Sequence, residues 1–287
     1  MSEVVFRIYD QAALDREYDN QAKVPAWKQL RTRMDEDSAA VRASVPCRLD
    51  VPYGDHPREV LDVFLPSSGG GPAPVHVFIH GGYWQRNDKS GSSYVAGPLV
   101  AAGAVSVVIN YPLIPTVSMD QVVASCRAAV GWVYRNATSF GGDPGRISVS
   151  GHSAGGHLAA MLLATDWTAL GLPADVVKAA VGVSGLYDLE PVRLCFVNEV
   201  MQLDEGAVGR NSPALLPAPR SGRLLLTVGS TEGPEFHRQV DALAGAWRPT
   251  GLLVAVLDLP GEDHFSMAAQ LGDPASVLTR AVVALLG

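Results

Sequence analysis

Cysteine is scarce in this chain. Three occur in 287 residues, Cys47, Cys126 and Cys195, with no Cys-x-x-Cys spacing among them. Scattered and odd in number, they argue against a disulfide framework and predict reduced thiols in a cytoplasmic protein. Positive charge is also short: 22 Lys and Arg stand against 29 Asp and Glu, a net charge of −7, and no basic run occurs. That balance excludes nucleic acid and anionic membrane as principal partners. No stretch approaches the ~18 uninterrupted apolar residues of a membrane span, and the opening MSEVVFRIYDQAALDREYDN has no apolar core of a secretory signal. Paired metal-ligand histidines are missing too. His152 and His157 are five apart, and neither His-x-His nor His-Glu-x-x-His occurs, so no zinc-hydrolase signature is present and no metal or cofactor is expected. No internal repeat or low-complexity tract is visible.

Apolar residues, at 47% against 18% charged, are sufficient for one substantial core, and residues 1–287 are expected to form a single α/β domain. Apolar runs suited to buried strands recur at Cys47–Tyr53, Val60–Leu65, Val75–His80, Val105–Tyr111, Arg146–Ser150, Ala179–Ser184, Arg223–Gly229 and Leu252–Leu259. From the third onward each is followed by a loop and a helical pattern, which predicts a mostly parallel eight-stranded sheet with helices on both faces. The first two lie close together across Gly54-Asp55-His56-Pro57 and read as an antiparallel hairpin at the sheet edge. Val122, Val123, Cys126, Val130 and Val133 follow helical spacing, which makes Cys126 a core residue rather than a reagent. Ser67–Pro74 is a Gly/Pro/Ser loop. Two segments stand outside the alternation: a charged, helical N-terminal arm over residues 1–45, interrupted at Pro25-Ala26-Trp27, and a short insertion over 187–219, expected as a cap. Arm and cap together are expected to wall a pocket.

The chemistry is concentrated in four places. Val149-Ser150-Gly151-His152-Ser153-Ala154-Gly155-Gly156 contains Gly-x-Ser-x-Gly between a strand pattern and an Ala/Leu-rich helix pattern. In that context Ser153 sits on a sharp strand-to-helix turn that presents its hydroxyl as a nucleophile. Such a serine needs a base, an acid to orient the base, and donors for an oxyanion. In the fold that uses this elbow the chain order is serine, acid, histidine. His264, in the loop after the last strand pattern, is the candidate base. Glu232, three residues past the strand-ending Gly229, is the candidate acid. Its rival Glu235 opens a helix, where a carboxylate ordinarily serves the helix terminus; Asp263 adjoins His264, and adjacent side chains tend to point apart. His80-Gly81-Gly82-Tyr83-Trp84 follows a strand pattern, and a Gly-Gly turn there can aim amides at one point. Gly81, Gly82 and Ala154 are therefore the oxyanion-hole candidates.

His80-Gly81-Gly82-Tyr83-Trp84 followed by Gly151-His152-Ser153-Ala154-Gly155-Gly156-His157 resembles the arylformamidase (kynurenine formamidase) branch of the α/β-hydrolase esterase/lipase superfamily. The likeness extends to Tyr9–Asp15, to Asn110-Tyr111-Pro112, to Ser184–Pro191 and to Pro234–Gln239, and so covers nearly the whole chain. It implies an α/β-hydrolase fold with Ser153, Glu232 and His264 as triad and Gly81, Gly82 and Ala154 as oxyanion donors. Glu232 stands where eukaryotic members of the branch carry Asp. The implied activity is hydrolysis of N-formyl-L-kynurenine or a similar aryl formamide through an acyl-enzyme, a step of tryptophan catabolism. A broad carboxylesterase for short acyl or aryl esters would use the same residues. A non-catalytic binding protein is the remote alternative, opposed by the presence of both Ser153 and His264. Tyr83, Trp84, Tyr187 and Asn198 are the pocket candidates, with Tyr83 and Trp84 able either to stack on an aryl group or to pack beneath the elbow helix. His152 and His157 are assigned no chemistry. The expected partner is a small-molecule substrate, and a homodimer is left open.

Overall fold

The computed structural model describes residues 3–67 and 71–287, so that Met1, Ser2 and Ser68-Gly69-Gly70 of the expected Ser67–Pro74 loop lie outside the described residues. The chain opens with a two-stranded ribbon, β1 (Val4–Phe6) and β2 (Tyr9–Asp10), then helices α1 (Gln11–Tyr18), α2 (Asn20–Lys23) and α3 (Trp27–Ser44). The hairpin β3 (Cys47–Pro52) and β4 (Val60–Phe64) follows, then β5 (Ala73–Ile79), α4 (Ala96–Ala101), β6 (Val105–Ile109), α5 (Met119–Asn136), β7 (Gly142–His152), α6 (Ala154–Leu163) and β8 (Val177–Val183). Three short helices, α7 (Glu190–Leu194), α8 (Asn198–Met201) and α9 (Glu205–Asn211), precede β9 (Arg223–Gly229), α10 (Pro234–Trp247), β10 (Leu253–Leu259), α11 (His264–Gln270) and α12 (Val277–Val283). The sequence predicts helix for the first forty residues; the ribbon departs from it. Val4, Val5 and Phe6 favour extended backbone, Arg7 reverses the chain at φ 52°, and Asp10 then accepts from the Ala13 amide at 2.9 Å to start α1.

The eight strands form one sheet in the order β10-β9-β8-β7-β5-β6-β4-β3. The pairs from β10 through β6 are parallel; β4 pairs antiparallel with β6 and with β3 at the edge. Side chains alternate between two apolar cores. Val75, Val77 and Ile79 of β5 face α5, α6 and α10, whereas Phe78 faces α3, α4, α11 and α12. Every residue of β6 (Val-Ser-Val-Val-Ile) is buried, as a strand covered on both faces requires. Helix α5 begins in a reciprocal Ser118/Gln121 capping box and buries Val122, Val123, Cys126, Val130 and Val133. Cys126 is a core residue, and burial pushes its thiol pKa well up.

Two buried polar knots dock the N-terminal arm. Asp62 of β4, fully buried, receives Lys89 at 2.8 Å and Arg42 of α3 at 2.5 Å. Tyr18 at the end of α1 donates to Glu235 at 3.0 Å, and Gln239 donates to the Tyr18 hydroxyl at 3.2 Å. Arg238 completes that knot, reaching Glu235 at 2.8 Å and Asp188 at 2.9 Å. The topology also fixes where the chemistry collects. From β5 the chain moves to β6 on one side and returns to β7 on the other, leaving a crevice at the carboxyl ends of β5 and β7. Ile79 pairs with Gly151, so the Gly81–Gly82 turn and Ser153 emerge beside each other.

Candidate active site

Ser153 lies between β7 and α6 at φ 56° and ψ −120°, a conformation that costs a non-glycine residue energy and is held here by its surroundings. Its amide donates to the Val183 carbonyl at 2.8 Å. The flanking glycines are obligatory by space: a Cβ on Gly151 would fall 2.1 Å from the Gly155 carbonyl oxygen, and one on Gly155 would fall 2.0 Å from that of Ile79. The Ser153 hydroxyl is 3.1 Å from His264 Nε2, and His264 Nδ1 is 2.7 Å from Glu232 Oε2. The other Glu232 oxygen accepts from Ser184 Oγ at 2.5 Å and from the Gly229 amide at 2.9 Å. Burial pushes the Glu232 carboxyl upward, but the His264 charge and the hydrogen bonds from His264, Ser184 and Gly229 outweigh it, so the pKa lies below the ordinary value. A carboxylate that remains ionised fixes the imidazole tautomer and supports its positive charge during proton transfer.

The rival acids have other duties. Glu235 is engaged by Tyr18 and Arg238. Asp263 caps α11, accepting from the amides of Phe265 and Ser266 at 2.8 Å each. His152 is more than a flanking residue. Its Nε2 lies 2.7 Å from the His264 carbonyl oxygen, which can only accept, so that nitrogen carries the proton. Burial pushes the His152 pKa down to about 3, and the neutral ring steadies the loop that carries His264.

Opposite Ser153, the Gly81 carbonyl is held from one side by His80 Nδ1 at 2.8 Å and by Asn87 Nδ2 at 3.0 Å. In a trans peptide the N–H points opposite to the C=O, so this grip turns the Gly82 amide away from His80 and Asn87. A Cβ added to Gly81 would stand 2.7 Å from the His152 carbonyl and 3.1 Å from Ser153 Cβ, which shows how closely the turn approaches the elbow. Ala154 opens α6, where an amide has no partner within its own helix. Gly81 and Gly82 on one turn and Ala154 at the start of α6 thus lie on the two segments that meet at Ser153, which makes their amides candidate donors to an oxyanion.

These groups open into a cavity of about 630 Å³, within the range of small-molecule sites. Of the four pocket candidates, the structure brings only Tyr83 to its wall, with the hydroxyl donating to the Tyr18 carbonyl at 2.7 Å. Trp84 is fully buried, donates to His157 Nδ1 at 3.2 Å and meets that ring edge-on at 5.0 Å, so it packs beneath the elbow helix. Tyr187 is fully buried too, with its ring against Gly182 and Gly185. Asn198 spends its side chain on Leu203, accepting from the amide at 2.7 Å and donating to the carbonyl at 3.2 Å. The wall is instead built by Tyr18, Trp27 and Met34 of the arm, Phe196 of the 187–219 segment, and Phe265 after the candidate base. Trp27 and Phe265 stack with centroids 5.8 Å apart. Nothing local in the sequence marks these residues, because they converge only through the fold. Ser184 had a local signal, a serine ending a strand, but not one that pointed to Glu232.

The sheet, the elbow and the Ser-His-Glu chain define an α/β hydrolase. A model of the BD-FAE family matches residues 61–200. Kynurenine formamidase of Danio rerio is 38% identical over 244 residues, covering 83% of this chain and 82% of that one. The Salmo salar enzyme of the same name is 35% identical over 262 residues, 89% and 87% of the two chains. A solved structure from Silicibacter sp. TM1040, described as a candidate thioesterase, superposes with a TM-score of 0.82 at 30% identity, covering 95% of this chain and 98% of that one. This chain belongs to the kynurenine formamidase family of α/β hydrolases, and it is a hydrolase. Among the described residues no helix is long and apolar enough to cross a membrane.

Proposed function

We propose that this protein is a serine hydrolase that deformylates N-formyl-L-kynurenine or a closely similar aryl formamide by acyl transfer. The observation that carries the reading is the continuous chain Ser153–His264–Glu232 at the wall of a cavity large enough for an aryl substrate. The family relationship supplies the formamide. In the first half-reaction His264 Nε2 takes the Ser153 proton as Oγ attacks the formyl carbon. The negative charge that moves to the carbonyl oxygen is met by the amides of Gly81, Gly82 and Ala154. Collapse breaks the C–N bond, and His264 returns the proton to the aniline nitrogen, leaving a formyl ester on Ser153. Water activated by the same imidazole releases formate. A formyl group asks for little acyl space, which leaves the cavity to the aryl portion.

The second reading, a carboxylesterase, draws support from the thioesterase description of the structural relative. Steady-state kinetics on N-formyl-L-kynurenine and p-nitrophenyl acetate separate the two. The formamidase reading expects the higher kcat/KM on the formamide and a loss of several powers of ten in Ser153→Ala. Cleavage of the ester alone would assign another substrate to the same machinery. The same proposal places the chain in the cytoplasm as a single functional unit, acting on a small molecule and on neither nucleic acid nor membrane. If it pairs with a second copy, the free edge of β10, with Leu253 and Val256 exposed, offers the natural seam.

A further inference from the structure

The reacting groups occupy one end of the cavity, and the rest of its wall is charged in a way the acyl transfer does not use. Arg86 lies on the chain just past the oxyanion turn, and Asp19 lies between α1 and α2; both line the cavity. Among the described residues no carboxylate pairs with Arg86, whereas Arg31, the other guanidinium on the wall, is held by Asp35 at 2.9 Å. The Arg86 stem rises directly from the site. Its Cγ is 2.9 Å from the point a Cβ on Gly82 would occupy. Asp19 commits Oδ1 to the Ala22 amide at 3.1 Å, capping α2. Both charges act on Tyr83, which lines the same cavity. Burial raises the Tyr83 phenol most, and beyond that Arg86 lowers it while Asp19 raises it. A lone guanidinium and a lone carboxylate facing one cavity, in a chain of net charge −7, form a complement to a ligand that carries both signs.

We propose that this wall receives the head group of a zwitterionic α-amino acid, its carboxylate on Arg86 and its ammonium on Asp19, while the aryl ring lies against Trp27 and Phe265 and the formamide reaches Ser153. The planar guanidinium fork suits a carboxylate. The proposal rests on the formamidase reading for the chemistry at Ser153, but the recognition it describes can be read without turnover.

The test is calorimetric titration of the Ser153→Ala protein with three probes. These are N-formyl-L-kynurenine, N-formylkynuramine, which lacks the carboxylate, and the desamino analogue, which lacks the ammonium. Deleting one charge-assisted hydrogen bond in a partly solvated site weakens binding by about ten- to hundredfold. The full amino acid should therefore bind at least tenfold more tightly than either truncated probe. Adding Arg86→Gln should collapse its advantage over N-formylkynuramine, and Arg86→Lys should restore part of it. Asp19→Asn, which keeps the cap oxygen, should collapse the advantage over the desamino analogue. Equal binding of the three probes overturns the proposal, as does an Arg86→Gln effect of the same size on all of them. Discrimination without formamide turnover by the native enzyme would keep the head-group site and sink the formamidase reading. Turnover without discrimination would do the reverse.

Discussion

Ser184 shows how much a single side chain outside the reacting set contributes. It follows the last residue of β8 at φ 50°, a conformation with a cost for any residue but glycine, and from there its hydroxyl donates to Glu232 at 2.5 Å. Replacing it with Ala removes a hydrogen bond to a buried carboxylate, worth about 1.5–3 kcal/mol. The Glu232 carboxyl should then titrate higher. The sign follows from linkage. A carboxyl with a depressed folded-state pKa contributes stability above its unfolded value and loses it as pH falls through the folded one. Ser184→Ala should therefore begin to lose stability at a higher pH than the native protein, with kcat reduced by about tenfold and KM little changed. Unfolding midpoints against pH, taken beside the kinetics, check both. If the acid limb of stability stays where it was, Ser184 does not hold the carboxylate.

At the scale of elements, the arm is the part whose function depends on how it is fastened. Tyr18, at the end of α1, lies on the cavity wall and is tied by its hydroxyl to Glu235 and Gln239 of α10. Tyr18→Phe keeps the ring and deletes these bonds, at a cost of about 1–2 kcal/mol. The expected result is a raised KM with kcat less affected, and faster amide hydrogen exchange over residues 11–44 than in α5. Exchange unchanged in the arm would show that the Asp62 knot fastens it alone. The elements themselves were legible in the sequence where burial writes a pattern: the fully buried, mostly apolar β6, the spacing of α5, and the Gly-x-Ser-x-Gly elbow whose neighbours exclude any Cβ. Ser153, His264 and the Gly81–Gly82 turn were legible as candidates because the fold that uses such an elbow sets their order along the chain. The cavity wall was not. Trp84 and Tyr187 look like pocket aromatics because sequence gives residue type without direction, and both point into the core. Trp27, Phe196 and Phe265 meet from three distant segments and share no local mark. The β1–β2 ribbon leaves no mark in the sequence because a three-residue strand carries too little periodicity.

For the whole molecule, buried histidine contributes a response to acid. His76, between Ser148 and Ser150 at 2.8 and 2.7 Å, has its pKa pushed by burial down to about 3. Burial likewise lowers His152 to about 3 and His80 and His157 to about 4 each. The unfolded chain binds protons at these residues near the ordinary imidazole value of 6.5, while the folded one refuses them. Stability is therefore complete above that value and falls on acidification toward pH 4, each group adding a slope of about 1.4 kcal/mol per pH unit. Urea unfolding should show several kcal/mol lost between pH 7 and 5, on the order given by that slope. A flat profile across this interval would mean that the four rings are not held neutral. The account as a whole stands or falls on the covalent step. Rapid quenching of the enzyme during N-formyl-L-kynurenine turnover, followed by peptide mass mapping, tests it most directly. A formyl ester on Ser153, absent from the Ser153→Ala protein along with the activity, is the predicted result. Continued deformylation by Ser153→Ala, or an adduct on any other residue, would contradict it.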